Sequence, residues 1–380
     1  MTMSTMDEEL KALIQDEKII NQLKMEKILR DRLAKWAPNK IVNLLGNPTV
    51  KELKQLCKAN GIKGYSTLKK EEIANLFMTS IVTEDYFNEV INRMDENQKR
   101  LFIHVYAFND MDETIETDLS FPESYLIFET EEDEHGYHLL WIPEEIIKQV
   151  GQWIEKHETL RRYKREQDLI EAATNLYGLY SLAQLQAVLN RYSEHSYSLL
   201  ETQKLLNRLE RLMPKTRNFN VGDGLITSVG LELEPEEVSH FLIDAHYYEP
   251  KSLEDMLYYK TNVFGIDEET YFNFMSWLVK NIREDNEYRV TSNELSVEIL
   301  TMMKHAIEYA MVQDVMYSLV QDGILRKRVE QTAINKVKPV YMKMRNWVYH
   351  GHTFEEYMEI MDQEERHQHG KVIDFNTYKK

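Results

Sequence analysis

The residues best able to do chemistry are cations in a chain that is otherwise acidic. In "TVKELKQLCKANGIKGYSTLKKEEI", Thr49 to Ile73, six lysines (51, 54, 58, 63, 69 and 70) outnumber Glu52, Glu71 and Glu72, although the whole chain carries a net charge of −18. Ammonium groups gathered this way suit phosphate neutralisation, which needs only local positive potential. A second surplus runs from Thr202 to Arg217, where Lys204, Arg208, Arg211, Lys215 and Arg217 face Glu210 alone. Gln203 and Asn207 on that stretch belong to the side-chain types that read base edges. The expected nucleic-acid contacts are therefore Lys63, Lys69 and Lys70 in the first patch, and Lys204, Arg208 and Arg211 in the second.

Other constellations promise less. His350 and His352, with His367 and His369, supply four imidazoles of the kind that ligate zinc or nickel. They alternate in an acidic tail with no identifiable group to orient the rings. His305 and Glu308 stand one helical turn apart, like a base and its orienting acid, and equally like a surface ion pair. Cys57 is the single cysteine; it excludes an intramolecular disulfide, suits a reducing compartment, and falls on an apolar helix face as a small buried hydrophobe. No phosphate-binding glycine loop, nucleophile elbow or HExxH motif is present. The expectation is no catalytic residue, no metal and no cofactor.

The elements that position these groups are mainly helices. Glycine (13) and proline (8) are scarce, and 43% of the 380 residues are hydrophobic, enough for several cores. Met6 to Trp36 has the spacing of an amphipathic helix, and Pro38 and Gly46 frame a short second one. Val50, Leu53, Leu56 and Cys57 share one face of a helix that ends at Asn60-Gly61. A second helix starts near Ser66 or Thr67, either serving as its cap, and buries Leu68, Ile73, Leu76 and Phe77. This helix-extended-helix unit is too small to stand alone and is expected to dock on the N-terminal helices.

From Thr83 a helical stretch leads into aromatic runs at Tyr125 to Phe128 and Tyr137 to Ile142, split by the acidic "TEEDEHG", which predicts a β-hairpin followed by a helix from Pro143. The order then recurs. Two helices hinged near Gly178 and a third, Tyr197 to Leu212, precede a hairpin turning at Gly222 to Gly224. The matching helix starts "IPEEI" and "EPEEV" suggest a duplicated, winged-helix-like unit. Beyond Val238 the pattern is helical, with Leu295, Ile299, Met302, Met303, Ile307, Met311, Val315 and Leu319 as one apolar stripe. The expected fold is mostly α: residues 1–80 with the small module, 81–160 and 161–237 as two winged-helix-like units, 238–362 as a C-terminal helical domain, and 363–380 as a flexible tail.

The Thr49 to Phe77 stretch resembles the N-terminal domain of the bacterial Rho termination factor and the related SAP modules. Leu53, Gly61, Ile62, Gly64, Tyr65, Lys70 and Ile73 carry the likeness. SAP modules bind DNA, and the Rho module sits beside an RNA-binding fold, so the resemblance implies contact with nucleic acid. "VKPVYMKMRNWVYHGHTFEEYMEI" is similar to the helical stretch upstream of SEC-C zinc motifs in bacterial proteins. The tail lacks the cysteines of that motif, so the likeness implies a helical scaffold and no zinc.

No apolar run of transmembrane length occurs, and the N-terminus is acidic where a signal peptide is basic, which predicts a cytoplasmic protein. The expected function is that of a non-catalytic regulatory factor that contacts DNA or RNA locally, in a salt-sensitive way. The rival expectation is an acidic scaffold that binds protein partners only.

Overall fold

The computed structural model describes residues 40–108, 121–122, 124–129, 140–212, 218–229, 231, 246–283, 290–305 and 309–369. The amphipathic pattern at Met6 to Trp36 and the words "TEEDEHG" and "EPEEV" lie outside these residues. The chain is mostly helical with small antiparallel sheets. It forms two compact units, Met1–Lys164 with Leu212–Thr216, and Arg165–Arg211 with Arg217–Lys380.

In the first unit, α1 (Ile41–Leu44) leads into α2 (Val50–Ala59). A reciprocal cap starts α2: the Glu52 N–H donates to Thr49 Oγ1 at 3.3 Å, and the Thr49 N–H donates to the Glu52 carboxylate at 2.6 Å. Gly61, at φ +69°, turns the chain out of the helix as its sequence context predicts. The next helix, α3 (Lys70–Ile81), begins later than expected. Lys69 is its N-cap, and the Glu72 carboxylate accepts the Lys69 N–H at 2.7 Å. Ser66 and Thr67 instead occupy a turn whose Ser66 carbonyl is bound by Lys54 Nζ at 2.7 Å, so neither caps the helix.

α4 (Glu84–Arg93) and α5 (Glu96–Phe108) follow, the latter opened by reciprocal 2.8 Å bonds between Asp95 and Gln98. β1 (Phe128–Glu129) and β2 (Leu140–Trp141) pair antiparallel with Phe128 opposite Trp141. α6 (Glu144–Lys156) begins after Pro143 with two acids in its first turn, as its dipole favours. One continuous core joins Leu53 and Cys57 of α2, Ile73 and Phe77 of α3, Phe87 of α4, Phe102 of α5, and Ile146 and Val150 of α6. The helix-extended-helix module therefore shares its core with the helices after it. Its α3 packs on α1 and α6, and Glu145 of α6 accepts the Ile41 N–H at 3.1 Å on each oxygen.

α7 (Glu158–Tyr177) ends at Gly178, and the second unit continues with β3 (Leu179–Ser181), α8 (Leu182–Tyr192), α9 (Leu199–Leu212), β4 (Phe219–Gly222) and β5 (Leu225–Ser228). The antiparallel sheet has the order β3-β5-β4. Asp223 and Gly224, at φ +50° and +77°, form the two-residue turn of the β4–β5 hairpin, the geometry that matches strand twist. The sequence pattern predicts two helices hinged at Gly178; the chain in fact inserts β3 there, since its Leu179 to Ser181 backbone pairs with β5.

The remaining helices are α10 (Leu253–Thr261), α11 (Glu268–Asn281), α12 (Ser292–His305), α13 (Tyr309–Gln321), α14 (Glu330–Lys343) and α15 (Phe354–His369). Their core includes Phe274, Leu278, Ile299, Met303, Val312, Met316, Val337 and Tyr341. The predicted single stripe holds through α12, but α13 buries Val312, Met316 and Val320 and leaves Met311 53% exposed. Its buried positions thus run one residue later than the stripe. The flexible tail expected from residue 363 is corrected in part, because α15 continues to His369. Its run of Glu and Gln favours helix over coil.

One short segment, Arg345 to Thr353, ties this unit together. Trp347 Nε1 donates to the Asn175 carbonyl at 2.9 Å, while its backbone N–H reaches the Lys304 carbonyl at 3.0 Å. Asn346 Nδ2 donates to the Met303 carbonyl at 2.8 Å. The last carbonyls of α12, orphaned by the helix end, find their donors here.

Candidate nucleic-acid interface

Helix α9 starts with another reciprocal cap, in which the Glu201 carboxylate accepts the Ser198 hydroxyl at 2.6 Å and the Ser198 N–H at 2.8 Å. These bonds hold the Glu201 carboxyl below its ordinary range. Thr202, Leu205, Leu206 and Leu209 are buried and fix the rotation of the helix. Positions 204, 208 and 211 then share the opposite side. Lys204 and Arg211 are exposed and Arg208 is half-buried. Arg211 Nε lies 3.4 Å from the Asn207 carbonyl, a long bond along its own helix. Gln203 and Asn207 are not independent readers, because Gln203 Nε2 donates to Asn207 Oδ1 at 2.7 Å. Lys215 and Arg217 lie outside the described residues.

The helical face is cationic, whereas the hairpin tip of the same unit carries Asp223. Leu199 and Leu200, 48% and 64% exposed, sit at the first turn of α9. Its outward residues include no aromatic side chain, so it has convex charge without a stacking platform.

The module lysines are arranged differently. Lys63 and Lys69 are exposed, on the extended loop and at the start of α3. Lys70 is half-buried and its Nζ donates to Asn47 Oδ1. Glu71 and Glu72 occupy the first turn of α3, and Glu72 already takes one of the N–H groups that a phosphate would use. Lys54 is likewise engaged at the Ser66 carbonyl. Of the two patches, α9 presents its cations along one helical side, with its only first-turn acid held in the cap.

The remaining candidates have structural surroundings. Cys57 is fully buried, and burial pushes its thiol above the usual range. His350 is buried at φ +52° with its ring edge-on to Tyr247, and its Nδ1 has no hydrogen-bond partner. Burial, then the neighbouring His352 and His246, push this imidazole down to about 4. His352 Nε2 meets the His246 carbonyl at 3.0 Å. The side chains of His367 and His369, and all of Glu308, lie outside the described residues. Among the described residues no group of three or more His, Cys, Asp or Glu side chains is placed to hold a metal, and no helix is long and apolar enough to cross a membrane.

Two charged groupings carry no local sequence signal. Lys260 of α10 bonds Asp168 and lies 3.6 Å from Glu171, both on α7. Burial raises the Glu171 carboxyl against the pull of Lys260. Arg345 stacks over Tyr248, 3.5 Å from its ring centre, and bonds Glu356. Glu356 also closes the cap that starts α15, accepting the Thr353 N–H at 3.0 Å while its own N–H donates to Thr353 Oγ1 at 3.2 Å. That cap alone is legible, in the word "TFEE". No protein-family model, curated protein or solved structure matches the chain.

Proposed function

We propose that the protein is a non-catalytic, nucleic-acid-associated regulatory factor that grips the phosphate backbone through α9. The observation that carries this reading is the outward face of Lys204, Arg208 and Arg211 on a helix whose buried leucines fix its rotation. The order α7-β3-α8-α9-β4-β5, with the sheet order β3-β5-β4, supports a winged-helix assignment. A helix in this position is suited to a groove flanked by phosphates. Lys63 and Lys69 of the Rho-N/SAP-like module contribute further backbone contacts. Contacts of this kind position the protein and confer little sequence preference.

Fluorescence anisotropy with labelled DNA and RNA across a salt series tests the reading. Wild type should bind at low salt and lose affinity steeply as salt rises. Arg208→Glu/Arg211→Glu should weaken binding and flatten the salt slope by about 2, roughly one for each lost phosphate contact. Absence of binding at low salt refutes it.

A second reading, a protein-binding adaptor, draws on α11, whose outward Phe272 and Val279 are 70% and 57% exposed. It predicts salt-insensitive capture of a protein and no retention of DNA or RNA.

A further inference from the structure

Lys304 is the most deeply enclosed cation among the described residues. It sits on the last turn of α12, 2% exposed, in a place where a surface lysine would help the helix dipole without being buried. Its Nζ donates to the Val263 carbonyl and lies 5.2 Å from the Trp347 ring centre. No carboxylate pairs with it among the described residues.

Val263 belongs to the turn between α10 and α11. It is 42% exposed, while its carbonyl is turned toward the amine. Local bonds shape the turn: Asn262 Oδ1 accepts the Gly265 N–H at 3.0 Å, and Asn262 Nδ2 donates to the Ile266 carbonyl at 2.8 Å. Tyr258 Oη adds a 3.1 Å bond to the same carbonyl. The outer tie to the Arg345 to Thr353 segment is long, 3.4 Å from the Arg345 N–H to the Gly265 carbonyl.

The titratable groups on the surrounding elements leave the amine without a counter-charge among the described residues. His305, on its own helix, stacks flat on Trp347 at 5.2 Å. Burial, then Lys304 itself, holds that imidazole below its ordinary range. α10 carries Tyr258, Tyr259 and Lys260, the last bound to Asp168. The Arg345 to Thr353 segment brings Arg345, His350 and His352, and Glu356 is engaged by Arg345. A neutral amine offers two N–H groups to one carbonyl. An ammonium brings a third N–H and a full charge into an apolar site, where both are costly.

We propose that Lys304 is a proton-operated latch: as a neutral amine it holds the Asn262–Ile266 turn closed through the Val263 carbonyl, and as an ammonium it favours a state in which the turn lifts and the charge is hydrated. Burial supports this by pushing the amine down to about 7 from an ordinary 10.5. In the lifted state the amine titrates as an exposed lysine. The lifted population should therefore grow about tenfold for each pH unit lowered between 10.5 and 7, and level off below 7.

Hydrogen exchange of the Arg345 amide in the full chain, corrected for the intrinsic rate, tests this, because lifting the turn breaks its bond to the Gly265 carbonyl. Wild type should show its protection falling about tenfold from pH 9 to pH 8, and again to about pH 7. Lys304→Met and Lys304→Gln, which cannot take up the proton, should show no such slope. A flat wild-type profile, or equal slopes in wild type and variants, overturns the proposal. Should both variants fail to fold, the wild-type amine can be followed by nitrogen-detected NMR. A Lys304 midpoint in the ordinary lysine range overturns the proposal, and a midpoint near 7 that moves together with Arg345 exchange upholds it.

Discussion

Gly178→Ala should be among the most damaging single-methyl changes in the second unit. Gly178 joins α7 to β3 at φ +69°, a left-handed conformation that costs an L-residue about 1–2 kcal/mol. A Cβ there would also lie 2.3, 2.4 and 2.8 Å from three indole atoms of Trp347. The ring cannot swing aside freely: it is 5% exposed, and its Nε1 and backbone N–H are bound to the Asn175 and Lys304 carbonyls. Overpacking of this kind costs about 1–3 kcal/mol, so the total should be about 2–5 kcal/mol. Native-state hydrogen exchange reads it directly, because the Gly178 N–H donates to the Thr174 carbonyl at 2.9 Å and reports the end of α7. Protection there should fall by roughly 30-fold or more, at 1.4 kcal/mol per factor of ten. Coupling with Trp347→Phe should relieve the steric share and leave the backbone share. A loss below about 0.5 kcal/mol for Gly178→Ala, within the range of neutral surface changes, would refute the packing argument.

Three further outcomes follow from the same unit and from the module. His350 has its folded imidazole at about 4 against an ordinary 6.5, so its contribution is full above 6.5 and lost as pH falls to 4. Urea titrations at pH 7 and 4.5 should differ by about 2 kcal/mol on this account, and His350→Asn, which tolerates the positive φ, should shrink the difference. Glu356 is held down to about 2 from 4.5, burial working against the charge and bonds from His352, Thr353 and Arg345 prevailing. Its contribution is present above 4.5 and lost between 4.5 and 2; with 39% of the side chain exposed, solvent screening reduces it to about 1–2 kcal/mol, which Glu356→Gln should forfeit at pH 7 in the same denaturation assay. Cys57 should resist a thiol-specific disulfide reagent until the first unit unfolds, so rapid labelling of native protein would contradict its enclosure between α2 and α3.

Local signals are the ones a sequence displays. The helices of the module apart from the start of α3, the left-handed turn at Gly61 and the hairpin turn at Asp223-Gly224 are each specified within a few residues, so they are legible from residue order alone. β3 is not, because three residues take strand form only by pairing with β5, more than forty positions later. Lys304 illustrates the same limit: within a methionine-rich stripe a lysine reads as a boundary residue, and only the fold of the Val263 turn and Trp347 encloses it. The two basic patches are visible as composition. That Lys70 is bound to Asn47, that Glu72 occupies the start of α3, and that Gln203 and Asn207 bond each other depend on rotamers and cap geometry, which composition does not encode.

The Trp347 joint also sets a timetable. Its indole bonds a carbonyl 172 positions earlier, and Gly178 is shaped to receive it. On the ribosome α7 emerges long before this partner exists, so its C-terminal end and the strand it feeds must wait, incompletely packed, until the Arg345 to Thr353 segment has been made. Such distant closure slows folding, because the loop must be closed before the contact rewards it. A nascent chain halted before Trp347 should expose the apolar end of α7 to chaperones, whereas the described core residues of the first unit, Ile41 to Tyr163, have all been made by then.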